Sequence, residues 1–246
     1  MIQLAWLGDT CVTWKAESIT FLMLAPGGDV DPYVAFQNLI GRVPEALNAL
    51  PPNQPGKVAG GPLDNFYFQI VARLGRVELI LTVPPSDSGV GMIEDPIAAL
   101  GKLVELAKKS LGLMPVNRLS FLTNLAVVTE DQGAAARLFF DRTRICPVES
   151  EPVDLIFQYN QPSEATDGTR INRVVKWGIT HVQLIQIAVG TLPLTRQAEQ
   201  KNYSTLNLLL DINVVPSTAP LTPDQMLRLI DDLAHQTSSL ILSTDA

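Results

Sequence analysis

A chain of 246 residues is long enough to bury a sizeable core, as one large domain or two small ones. Its 18 Lys and Arg stand against 25 Asp and Glu, and the net charge of −7 argues against general affinity for nucleic acid or an anionic membrane, since both need a basic footprint. Charged residues are 17 % of the chain, below the usual value of about 25 %, and apolar residues are 46 %, so either much sheet is buried or part of the surface serves association.

In chain order, Ile2–Leu7 and Thr10–Leu24 read as strands, with Ile19, Phe21 and Met23 on one face. The first residues lack a basic segment and a long apolar run, so no signal peptide is expected there. Ala25–Asp29 is a turn. Asp31-Pro32 starts a helix, because Asp caps free amides and Pro fits the first helical position. Pro44 kinks or ends that helix, and Glu45–Leu50 adds a further turn or two. Pro51–Leu63 is rich in Pro and Gly and reads as a long loop. Phe66–Ala72 and Val77–Val83 alternate around Leu74-Gly75, which makes a β-hairpin. After a loop over Pro84–Gly89, Asp95-Pro96 starts a second helix, with Lys108 and Lys109 near its end and Gly112 placed for a left-handed cap.

Val116–Thr129 is a second long strand, with Leu119, Phe121, Leu125 and Val127 on one face. A short helix follows over Asp131–Phe140, and then a compact charged segment, Asp141–Arg144. Val153, Leu155, Phe157 and Tyr159 mark a strand, and Gln161–Gly168 a polar turn. Ile171–Val189 is too long for an average strand, and Gly178 suggests a bulge or tight bend within it. Thr191–Asn202 is a polar excursion. Tyr203–Val215 then alternates strictly, with Leu206, Leu208, Leu210, Ile212 and Val214 on a core face. The last helix has the best-specified start: Thr222 as N-cap, Pro223 in first position, Gln225 to return the cap and Leu221 to staple onto Met226. Its apolar positions run from Met226 to Ile241 at helical spacing.

This pattern predicts an α+β fold: a mostly antiparallel sheet with helices packed on one face and a long C-terminal helix. The divisions expected are 1–113 and 114–246, two halves with a similar order of elements, or one continuous domain.

Sites are sparse. Cys11 and Cys146 are far apart and outside any C-x-x-C, which fits buried thiols in a reducing compartment, and a cytoplasmic location. The longest uncharged run, between Lys176 and Arg196, is broken by His181, Gln183, Gln186 and Pro193, so no membrane span is expected. The two histidines, His181 and His235, have no metal-binding spacing, and no cofactor or metal is expected. The chain has no nucleophile-elbow motif and no phosphate-cradling loop. Pro26–Asp29 and Ser88–Gly91 precede capped helices, where free amides can bind an anion, although such turns mostly punctuate the chain. Arg137, Arg142 and Arg144, with Arg118, are the densest positive feature; guanidinium groups make forked bonds to carboxylate or phosphate, but a solvated edge paired with Asp141 or Glu149 is the simpler account. Asn207, Asp211 and Asn213 form a polar strip on the outer face of the last strand, a candidate contact for a partner or ligand.

Arg118–Asn124 and Leu210–Val214 resemble two motifs of a family of uncharacterised bacterial proteins of similar length. These are an R-x-G-L-R-Y-x-N strand and an L-D-x-D strand leading into a final helix. Here the first Arg, a displaced Asn and the first Asp are kept; the second Arg and the Tyr are not, and Asn213 replaces the second Asp. The resemblance implies this layout and no chemistry. The sequence therefore points first to a non-catalytic association protein, a self-assembling or partner-binding subunit. Partly apolar outer strand faces at Ile80, Leu122, Leu209 and Val215 motivate this. A binder of small molecules in an apolar cavity beneath the C-terminal helix is the alternative, and an enzyme acting on a phosphorylated or nucleotide substrate near the arginines is the third.

Overall fold

The structure is a computed structural model describing residues 13–84, 91–145, 154–189 and 196–245, with backbone alone for 182–201. The expected strand at Ile2–Leu7 and both cysteines lie outside these residues, as does most of the Pro84–Gly89 loop. The chain is α+β. Nine strands form one sheet in the order β2-β3-β4-β5-β1-β6-β9-β8-β7, and every pairing is antiparallel. They are β1 (Lys15–Leu24), β2 (Ala46–Ala49), β3 (Lys57–Leu63), β4 (Phe66–Arg73), β5 (Arg76–Thr82), β6 (Arg118–Thr129), β7 (Ile156–Glu164), β8 (Arg170–Val189) and β9 (Arg196–Val214). The helices are α1 (Pro32–Ile40), α2 (Pro96–Lys109), α3 (Gln132–Thr143) and α4 (Pro223–Asp245). One sheet runs through both halves, with β1 and β6 paired at its middle.

The helix starts follow the capping chemistry. Asp31 accepts from the Tyr33 amide, Asp95 from Ala98 and Asp131 from Ala134. In α4 the exchange is reciprocal: the Thr222 amide donates to Gln225 Oε1 at 2.9 Å, and the Gln225 amide to Thr222 Oγ1 at 3.3 Å. α1 stops at Gly41, whose left-handed backbone (φ 80°) closes the helix before Pro44 is reached.

The core lies between the helices and one face of the sheet. Phe36 of α1 stacks on Phe68. Ser110, after α2, donates its hydroxyl to the Ala107 carbonyl at 2.7 Å and lies against Met23 Sδ at 3.6 Å. Phe139 of α3 and Leu229, Ile230 and Leu233 of α4 are buried among Leu206, Leu208 and Leu210. Trp14 meets Trp177 edge-on and donates to the Thr244 carbonyl at the end of α4. The strand face read from Tyr203–Val215 is the buried one, as expected.

Several expectations are corrected. Glu45–Leu50 is not helical: Ala46–Ala49 is an edge strand. Residues 57–63 are strand β3, not loop. The glycines there permit close approach rather than a turn. A Cβ on Gly61 would lie 3.3 Å from the Phe36 ring, and one on Gly60 would lie 3.1 Å from Tyr67. Pro62 fits because β2 reaches only Gly60, which leaves that side of the strand open. Gln161–Glu164 belongs to β7, and the turn is Ala165–Thr169. Gly178 carries no bulge; it pairs with Ile156 and Asn207 in unbroken register. The bulge is in β1, between Ala16 and Ser18. The stretch read as a polar excursion contains the start of β9. From Arg196 it pairs with β8, and β6 ends opposite Ser204 while β7 begins opposite Gly178. Beyond those points β8 and β9 pair only with each other among the described residues.

Candidate interaction surface

Strand residues alternate between two faces. The face described above is covered by all four helices. Among the described residues no element covers the other. Its rows follow from the register. One row runs Ile80, Thr20, Leu122, Asp211, Val174; the next runs Val71, Glu78, Leu22, Ser120, Asn213, Asn172. Leu22, Ile80, Leu122, Val174 and Leu209 are half-buried by strand neighbours alone and stand outside the core cluster. Small side chains between them are shielded almost completely, as at Ala126 (1 % exposed) and Thr20 (8 %). The surface is thus close-packed and wet on one side, with its large apolar side chains set among Ser120, Asn124, Lys176 and Asp211.

Two of the residues singled out in sequence, Asp211 and Asn213, meet here. Asp211 Oδ1 accepts from Ser120 Oγ at 2.6 Å and from Asn213 Nδ2 at 3.0 Å, and Asn213 Oδ1 accepts from Asn172 Nδ2 at 3.3 Å. Asn213 is 2 % exposed, so this chain of bonds is a fixed feature of the sheet. Asn207 lies two rows away. Its Nδ2 donates to Thr180 Oγ1, while its Oδ1 is buried without a described partner. Glu78 occupies the place in the first half that Asp211 occupies in the second: Leu22 faces Glu78 and Val71 follows; Leu122 faces Asp211 and Val174 follows. Glu78 is held by Arg73 and Arg76.

The four arginines grouped by sequence do not come together. Arg118 is on the open face, opposite Leu24 at one end, in the row that holds Arg76 and Arg73. Its Nε is buried and meets no described partner. Arg170 extends the same rim, since its carbonyl accepts from Val215, the residue after β9. Arg137 lies on the helix side, beside Gly133. Arg142 and Arg144 line a cleft of about 400 Å³ with Tyr159, Trp177 and Thr244. The cleft gathers the C-terminal ends of α3 and α4, where exposed carbonyls carry partial negative charge. Arginines there offset the helix dipoles, and an anionic substrate would meet the unfavourable end of both helices. A second cleft, about 510 Å³, opens at the Arg73, Arg76 and Glu78 rim.

The anion-binding loops proposed from sequence fare similarly. Gly28 and Ala25 bond to Gly75, so Pro26–Asp29 is braced against the β4–β5 turn; most of Ser88–Gly91 is outside the described residues. His181 Nδ1 stands 3.0 Å from Ser204 Oγ, and His235 is exposed on α4. Among the described residues no helix is long and apolar enough to cross a membrane. Leu22, Val174 and the Arg73–Arg76–Arg170 rim escaped the sequence reading. Leu22 sits in the apolar run Phe21–Leu24, where alternation marks no outer face, and the rim exists only once the register is known.

No family model matches this chain, and neither a curated protein nor a solved structure matches it.

Proposed function

We propose that this chain is a non-catalytic subunit of a cytoplasmic assembly and acts by association through the open face of its sheet. The observation that supports this is the middle of that face, uncovered by any described element, where the half-buried Leu22, Ile80, Leu122, Val174 and Leu209 lie on the side away from the helices. A sheet with one covered face ordinarily presents polar side chains to water on the other. Large apolar side chains retained there among polar ones favour a partner, since burial contributes about 25 cal/mol per Å². The Ser120–Asp211–Asn213–Asn172 chain adds directionality to the surface.

The test is native mass spectrometry of the tagged chain taken from its source cells. The unaltered protein arrives in a complex heavier than one chain. The double variant Leu122→Lys, Leu209→Lys, with unchanged circular dichroism, arrives as a single chain. If the unaltered protein arrives alone, the reading is wrong.

A further inference from the structure

Resting on that reading, we infer that the occupant of the open face is a second copy of the chain, packed face to face about a two-fold axis that runs across the strands. Size is the first argument. Nine strands spaced about 4.8 Å apart span about 40 Å, and five rows along the central strands span about 25 Å. The product is about 1,000 Å² per copy, and the short outer strands reduce it toward the 800 Å² per partner of a standard stable interface. Two such faces stack at about 10 Å, the separation at which leucines from both interdigitate.

Polar satisfaction is the second argument. Asp211, Ser120, Asn213 and Asn172 bond one another, and Asn124 Nδ2 donates to Ser18 Oγ at 2.9 Å. Those bonds can persist beneath another copy, whereas Asn207 Oδ1 and Arg118 Nε, which have no described partner on the same face, need one from that copy.

Charge sets the orientation. Arg73, Arg76, Arg118 and Arg170 line one end of the strands, where Glu78 is held between two of them. The other end carries Glu17, in the β1 bulge, and Glu94, which pairs with Lys15 at 2.8 Å. A two-fold axis along the strands would lay arginine rim on arginine rim. An axis across them keeps each strand over its own copy, so Glu17, the carboxylate there that Lys15 does not offset, comes to lie near the partner's Arg76, and a two-fold interface repeats that contact.

Sedimentation equilibrium on the purified full chain tests this. The expected result is a dimer, converted to monomer by Leu122→Lys with Leu209→Lys. The solvent-exposed rim substitutions Arg76→Glu and Glu17→Arg each weaken the dimer about five-fold, because each contact occurs twice, and combining them restores most of the loss. Strengthening by Arg76→Glu overturns the orientation. A strict monomer at 100 µM, about the highest working concentration of such a run, overturns the second copy as occupant. If a monomeric chain still leaves its source cells in a heavier complex that needs Leu122 and Leu209, association stands and only the partner is wrong. If it leaves alone, both readings fall.

Discussion

Phe21 and Phe121 face each other across the two central strands, in register, with ring centroids 5.1 Å apart and planes tilted by 45°. Outward from this pair the same order of strands unfolds on both sides: β5, β4, β3 on one and β9, β8, β7 on the other. α1 and α3 follow the two central strands, and α2 and α4 follow the strands beside them. β2 is the one strand without a counterpart. The pair therefore sits on an approximate two-fold axis, and the two halves of the core meet through it.

Both rings are fully buried, so truncating either leaves a cavity at that junction. Phe121→Ala and Phe21→Ala are each expected to cost about 3–5 kcal/mol. The double variant should fall short of the sum by about 1 kcal/mol, because the second truncation no longer removes a ring contact. Urea unfolding of the four proteins measures the coupling; additive losses would show that the contact contributes nothing beyond burial.

Thr123 lies on the helix-facing side of β6, 0 % exposed, and its hydroxyl has no hydrogen-bond partner among the described residues. Thr123→Val replaces that hydroxyl by a methyl of similar size, removing an unmet desolvation cost. A gain of about 1 kcal/mol is expected. Thr129 is the control, since its hydroxyl donates to the Ser204 carbonyl at 2.9 Å; Thr129→Val should be destabilising. Thermal melts that move both variants the same way would contradict this account.

Local chemistry made the helices and long strands readable before any coordinates. Asp31, Asp95 and Thr222 cap the helices assigned to them, and the buried side of β9 is the one its alternation marks. Composition misled where a residue had two uses. Gly60, Gly61 and Pro62 signal a turn in sequence, yet here they let β3 lie under Phe36 and Tyr67. Gly178 suggested a bulge that register does not need. The candidate surface was half legible: Ile80, Leu122 and Leu209 were visible as apolar residues on polar faces. The arginine rim was not, because Arg73, Arg118 and Arg170 are neighbours only through pairings of strands remote in sequence.

The capping box of α4 should be worth about 1 kcal/mol. Thr222→Ala removes the acceptor for the Gln225 amide and is expected to lower stability by that amount. Thr222→Asp keeps an acceptor and adds charge favourable to the helix start, so it should match or exceed the parent. Equal melting temperatures for the Ala and Asp variants would mean that packing of Met226 and Leu229, not the cap, fixes this end.

Glu17 provides the pH-dependent case. Burial lifts its pKa above the ordinary 4.5; the Tyr203 phenol is raised too, first by burial and then by the Glu17 charge. A folded-state pKa above the unfolded one means that the native protein binds the proton more tightly. The stabilising protonated form is therefore fully present below 4.5 and lost as pH rises through the higher folded value. At neutral pH the ionised carboxylate is a net liability to the fold. Glu17→Gln should raise the melting temperature at pH 7 and leave it nearly unchanged below pH 4, where the native side chain is already neutral. Because Glu17 is partly open to solvent, the gain should be small and should shrink with salt. Melts at both pH values in the monomeric Leu122→Lys, Leu209→Lys background separate this effect from any contact across the open face; a loss of stability at pH 7 would reverse the assigned sign.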